Sequence, residues 1–180
     1  MNSLKIAIVA FWIAFWIYWG ISALAAKQGT SGARGTPMRA LILLVLVVLF
    51  RVVHAGSLDV HGVVLPILGT VLVVGGLGFA VWARVHLGRN WGMPMTQKEE
   101  PELITSGPYR FVRHPIYTGI LTAVLGTALA VNLLALAVAA IAGAYFWHSA
   151  TVEERNLTAI FPRAYPAYKA RTKMLIPFVL

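Results

Sequence analysis

Apolar residues fall along this chain in long blocks separated by short polar segments. Residues 6–26 run for 21 positions without a charge, enough to cross a hydrocarbon core of ~30 Å as a helix. Ala23-Leu24-Ala25 resembles a signal-peptidase site, but a cleavable signal has an apolar region of only ~7–15 residues, so this longer, Trp-rich block predicts a retained first span. Residues 40–53 form a second block with Arg51 near its end. As a helix it covers only ~21 Å, and it completes a span only if the Arg51 side chain snorkels to the interface. Residues 63–83 predict a third span, whose glycines Gly69, Gly75, Gly76 and Gly78 suit close packing against neighbouring helices. A polar segment follows from 84 to 114. Then come 116–131 and 133–149, two apolar stretches parted by the single Asn132, which predict a tight transmembrane hairpin.

The pattern predicts an all-α integral membrane protein of about five transmembrane helices, the last two a hairpin, in a single membrane domain over 1–180. Composition agrees, with 59% hydrophobic and only 12% charged residues, against about a quarter charged in soluble domains. The net charge of +9 is first an orientation signal. Segments 27–39, 84–115 and 151–180 hold thirteen of the Lys and Arg residues, and only Lys5 and Arg51 fall elsewhere. This asymmetry predicts an N-terminus outside and a cytoplasmic C-terminus. The basic residues are dispersed among apolar blocks, which argues against nucleic acid as a partner. With no cysteine, disulfides, thiolate metal sites and a cysteine nucleophile are excluded.

Five of the six acidic residues, Glu99, Glu100, Glu102, Glu153 and Glu154, fall in the last two cytoplasmic segments. The predicted hairpin returns Arg113 and His114, at its start, to the membrane face of Glu153 and Glu154, just past its end. Arg113-His114-Pro115 places a cation pair before a helix-initiating proline. Glu153, Glu154, Leu157, Ile160 and Phe161 fit an interfacial amphipathic helix with one apolar face. Other constellations carry less. Ser57, Asp59 and His61 have the residue types of a triad, but neighbours in one short loop do not form its geometry. Gly76-x-Gly78 lacks the third glycine of a nucleotide fingerprint. The five histidines divide between the two membrane faces without helical i,i+4 pairs, which disfavours a haem or metal site.

The second half of the chain carries a longer signature. It comprises Leu87-Gly88-Arg89-Asn90-Trp91, Leu103-Ile104-Thr105-Ser106-Gly107-Pro108-Tyr109-Arg110 and Arg113-His114-Pro115-Ile116-Tyr117-Thr118-Gly119. After the hairpin come Glu153-Glu154-Arg155, Tyr165-x-x-Tyr168-Lys169-x-Arg171 and Ile176-Pro177-Phe178. In order and spacing this resembles the isoprenylcysteine carboxyl methyltransferase family, in its compact prokaryotic form, over residues 84–178. Residues 1–83 match only in being apolar.

The resemblance implies a methyltransferase-like region over 84–180 with an interfacial C-terminal helix, in a cytoplasmic membrane of prokaryotic type. It implies S-adenosylmethionine bound at the cytoplasmic face and a lipophilic or lipidated acceptor entering from the bilayer. Arg113, His114, Tyr117, Glu153, Glu154 and Arg171 fall on motif positions as cofactor or acceptor contacts, with Arg113, Glu154 and Arg171 as the catalytic candidates. Tyr109 and Tyr168 become candidate pocket walls. The cofactor's carboxylate, ammonium, ribose diol and adenine call for cationic donors, an acidic partner and aromatic walls. A carboxylate acceptor is already ionised at neutral pH, so alignment and exclusion of water suffice without a base. Two alternatives stay open. One is a membrane reductase using NADPH on a sterol or isoprenoid, although Ile116 stands where that group has Asn. The other is a non-catalytic scaffold whose basic tail binds anionic lipid. Gly92, Pro94 and Pro101 leave the 92–104 connection as a candidate lid.

Overall fold

The computed structural model describes residues 3–24, 29–30, 58–88, 97–98 and 102–177. The predicted second span at 40–53, Ser57, and most of the 92–104 connection lie outside them. Among the described residues five helices occur: α1 (Ser3–Leu24), α2 (Val64–Leu87), α3 (Pro115–Ala130), α4 (Ala135–Ile160) and α5 (Ala164–Arg171). Gly29–Thr30 (β1) and Gln97–Lys98 (β2) form a two-residue antiparallel pair. Helices α1, α2 and α4 are long and apolar enough to cross a membrane. The shorter α3 has 16 residues, about 24 Å.

The core is built on α2 and α3, which run antiparallel in close contact. Gly69 and Gly76 of α2 lie opposite Gly126 and Gly119 of α3, two pairs with the same seven-residue spacing. A Cβ on Gly76 would come within 2.6 Å of the Gly119 carbonyl oxygen and 2.7 Å of the Ala123 backbone nitrogen. Val73, Ala80 and Ala123 beside them are fully buried. Small residues let helix backbones approach where lipid provides no hydrophobic drive. The sequence grouped four glycines together, but Gly75 and Gly78 have open space around them and take no part in this seam. Gly76→Ala is therefore expected to lower the thermal midpoint in detergent by forcing backbone apart, at about 1–3 kcal/mol. Gly75→Ala, on the same helix, should be neutral or stabilising by up to ~1 kcal/mol; equal midpoints for the two variants would refute the seam.

Helix α1 buries Ile8, Trp12 and Phe15 on one stripe, and Trp12 Nε1 donates to Thr127 Oγ1 of α3 at 3.0 Å. Helix α4 buries Val138, Ala142, Phe146 and Ala150 at four-residue intervals, the face expected to meet a neighbour. The turn between α3 and α4 occupies 131–134. Asn132 is fully buried there: its Oδ1 accepts from the Leu134 backbone N–H and its Nδ2 donates to Asp59 Oδ1, both at 2.9 Å. Lys5 Nζ closes on Asp59 Oδ2 at 2.6 Å. Asp59 is thus bound to Lys5 and Asn132, an arrangement unlike a triad.

The start of α1, the start of α2 and the α3–α4 turn thus share one end of the bundle. At the other end, Arg84 donates from Nη2 to the Ser22 carbonyl at 2.5 Å and from Nη1 to the Gly88 carbonyl at 2.7 Å, tying the last turns of α1 and α2. One expectation changes here. Residues 153–160 do not form a separate interfacial helix; they are the last two turns of the 26-residue α4. Nothing breaks the run between Ser149 and Glu153, so a helix already begun continues for ~39 Å.

Candidate functional site

At the Arg84 end, Pro115 opens α3 at its first helical position, where its missing N–H costs nothing. The two residues before it donate backbone N–H groups to the C-terminal segment, Arg113 to the Lys173 carbonyl at 2.8 Å and His114 to the Met174 carbonyl at 3.1 Å. Thr118 Oγ1 adds a bond to the Leu175 carbonyl at 2.6 Å. Residues 172–175 thus lie alongside the start of α3 and bring α5 over the end of α4.

Four elements meet at Glu154, which is 3% exposed. Arg113 Nε donates to its Oε1 at 2.6 Å, and Arg113 Nη1 donates to the Thr172 carbonyl and, at 3.4 Å, to the Lys169 carbonyl. Lys169 Nζ lies 2.7 Å from Oε2. His114 sits between both acids, with Nδ1 3.5 Å from Glu153 Oε2 and Nε2 3.5 Å from Glu154 Oε1. Tyr117 Oη donates to Glu153 Oε1 at 2.5 Å. The His114, Tyr117 and Phe146 rings form a stack, with centroids 5.5 and 4.4 Å apart and planes within 9° of parallel.

The remaining candidates divide. Tyr168 is buried, but its hydroxyl is engaged by the Tyr109 carbonyl at 2.6 Å, so these two tyrosines lock α5 to the 3-10 turn at Gly107–Arg110. Gly107 there has φ +59, and any side chain would run into the His86 ring. Burial pushes the Tyr168 hydroxyl up to about 12 and that of Tyr109 higher still, so both stay neutral donors. Arg171 is exposed at the last residue of α5 and is not drawn into the cluster around Glu154.

Lys169, Thr172 and Phe146 belong to the cluster although sequence reasoning assigned them no role. Phe146 stands seven residues before Glu153, two helical turns along one face, a relation visible only once α4 is continuous.

Burial pushes the His114 imidazolium down, but hydrogen bonds and charge from Glu153 and then Glu154 outweigh it, so its protonated form is favoured. A raised folded pKa contributes stability that is complete below the unfolded value of about 6.5 and lost as pH rises through the folded value. Thermal stability in detergent should accordingly fall as pH is raised above about 6.5. The His114→Asn variant should lose that slope; an identical pH profile would refute the assignment.

The donor set suits a ligand with both charge signs and an aromatic ring. His114 Nε2 and the Tyr165 hydroxyl are among the buried polar atoms without an aligned hydrogen bond, and Glu154 Oε2 meets the half-exposed Lys169, beside a ring stack.

Fold and site together define a helical membrane protein with one ion-paired, aromatic-lined site at one end of its bundle. The family model for phospholipid methyltransferases matches residues 64–164. The protein-S-isoprenylcysteine O-methyltransferase B of Arabidopsis thaliana is 28% identical over 148 residues, covering 78% of this chain and 73% of that one. A methanethiol S-methyltransferase of Bradyrhizobium diazoefficiens is 38% identical over 78 residues, 43% of this chain and 27% of the relative. Among solved structures, the eukaryotic intramembrane Ras methyltransferase, an isoprenylcysteine carboxyl methyltransferase, matches with TM-score 0.58 and 25% identity, covering 64% of this chain and 43% of that one. The chain belongs to this family of phospholipid and isoprenylcysteine methyltransferases. It is a membrane methyltransferase.

Proposed function

We propose that this protein transfers the methyl group of S-adenosylmethionine to a lipophilic acceptor, a carboxylate of the isoprenylcysteine type, at the cytoplasmic membrane face. The observation that carries the reading is the buried Glu154, whose Oε2 is met by the half-exposed Lys169, set among Arg113, His114, Glu153 and the Tyr117–Phe146 stack. When bound, the cofactor supplies an electrophilic methyl group on sulfonium. Glu154 would hold its ammonium, Glu153 and His114 its remaining polar groups, and the ring stack would wall its apolar side.

The acceptor class follows from what these side chains lack. The two acids beside His114 favour its protonated form, and those acids are themselves engaged by cations and by Tyr117. No base is offered among the described residues of this cluster, so an acceptor that arrives already anionic is favoured, with its reactivity set by positioning. Arg171, exposed one turn from Tyr168, is the proposed partner of that carboxylate.

Five spans with the N-terminus outside fit the described helices. Lys5 and Asp59 place the starts of α1 and α2 at one end, and the Arg84–Ser22 bond places their last turns at the other. With thirteen of fifteen cations in the segments on the site side, that side is assigned to the cytoplasm of a prokaryotic inner membrane.

The test is calorimetric binding of S-adenosylhomocysteine to detergent-purified protein, with NADP as the paired control. Saturable binding of the first alone is expected; binding of NADP alone would overturn the reading. With a prenylated cysteine analogue as acceptor, Arg171→Ala should slow single-turnover methylation more than it weakens cofactor affinity. An unchanged single-turnover rate would remove Arg171 from the acceptor site.

A further inference from the structure

The two cations on Glu154 are held in different ways. Arg113 is buried, with a side chain 7% exposed, and its guanidinium meets Glu154 and two backbone carbonyls, those of Thr172 and Lys169. A planar guanidinium fixed by three acceptors from two parts of the chain is a permanent member of the fold. Lys169 reaches Glu154 from the last turn of α5 with a side chain 53% exposed. Its ammonium is 2.7 Å from Oε2, a direct ion pair. Lys169 thus neutralises the carboxylate through a flexible stem whose charge is readily rehydrated.

We infer that Lys169 is an exchangeable counter-ion that occupies the ammonium subsite of Glu154 until the cofactor's own ammonium displaces it. The inference rests on the proposed role of Glu154 in binding S-adenosylmethionine. The chemistry of the exchange is matched on both sides. A lysine side chain and the α-amino group of the cofactor's methionine moiety both present a primary ammonium, so one replaces the other with no change in the charge buried around Glu154. Arg113 and His114 both lie on the Oε1 side, so without Lys169 the Oε2 of this buried carboxylate would lack a cation; Lys169 covers that need in the ligand-free protein. Exchange rather than addition keeps two ammonium groups from meeting at one oxygen, where like charges repel. The same arrangement selects for ligands that carry the amino group, because a ligand without it leaves Lys169 where it is.

Lys169 is therefore a specificity-determining residue that competes with the ligand, and its removal should tighten binding, the reverse of what loss of a direct ligand contact does. The test uses the full chain in detergent, with S-adenosylhomocysteine and an analogue of it lacking only the α-amino group. For Lys169→Met, affinity for S-adenosylhomocysteine should rise about fivefold, the effect of removing a half-exposed ion pair that competes with binding. Affinity for the deaminated analogue should not change, and Lys169→Arg should retain wild-type values for both. Lys169→Gln provides the same measurement should the methionine variant aggregate. Unchanged or weakened S-adenosylhomocysteine binding, or equal tightening of both ligands, would overturn the exchange. Failure of folded wild-type protein to bind S-adenosylhomocysteine would instead overturn the proposed function, and the exchange with it.

Discussion

Replacing Glu154 with glutamine is expected to weaken S-adenosylhomocysteine binding roughly 100-fold, the equivalent of the ~3 kcal/mol that a hydrogen bond to a charged group contributes at most. The amide keeps the size of the side chain but removes the charge on which Arg113, His114 and Lys169 converge. The Gly69–Gly126 contact and the Lys5–Asp59–Asn132 contacts lie at the opposite end of the helices, so the bundle should be retained. Calorimetry on the folded, detergent-purified variant reads the effect directly. Wild-type affinity in Glu154→Gln would remove this residue from the cofactor site and with it the main support for the proposed function.

Arg113→Ala should have a different and broader signature. The guanidinium bonds Glu154, Thr172 and Lys169 at once, so its loss strands a buried carboxylate and releases the segment that α5 leads into. Breaking one side of a buried ion pair costs about 3–5 kcal/mol. The expected result is a clear drop in thermal midpoint, faster proteolysis between α5 and residue 177, and loss of cofactor binding, with membrane insertion unaffected because the spans do not depend on it. A variant with an unchanged midpoint and unchanged binding would show that Arg113 holds nothing together.

These two residues also mark how far the sequence could be read. Charge-free runs made the helices legible, since a chain in lipid must satisfy its backbone internally, and Asn132 was visible as the single Asn parting two apolar stretches. The predicted hairpin brought Arg113, His114, Glu153 and Glu154 to one membrane face, and the structure brings them into one cluster. What the motif did not reveal was the division of labour. Arg113 reads as a ligand-binding cation, yet its guanidinium is taken up by protein acceptors. Lys169 stood in the signature without a role, because the fold-back that carries it to Glu154 depends on backbone bonds between residues 113–114 and 173–174, which have no side-chain pattern. The glycines illustrate a signal that was present and unused. Two pairs of identical seven-residue spacing, Gly69/Gly76 and Gly119/Gly126, mark the α2–α3 seam, whereas Gly75 and Gly78 point elsewhere.

The docking of residues 172–175 against the start of α3 also sets an order of events during biosynthesis. Every span described here precedes Lys169 in the chain, and Thr172, Lys173 and Met174 are translated later still. While the ribosome has yet to deliver them, the nascent protein has its spans and Glu154 but lacks the Thr172 carbonyl that Arg113 binds and the backbone partners of Arg113 and His114. The cluster around Glu154 is therefore completed only after the helices have been handed to the bilayer. A message broken before codon 169 would leave a protein with its spans but without Lys169 and without the segment that docks on the start of α3.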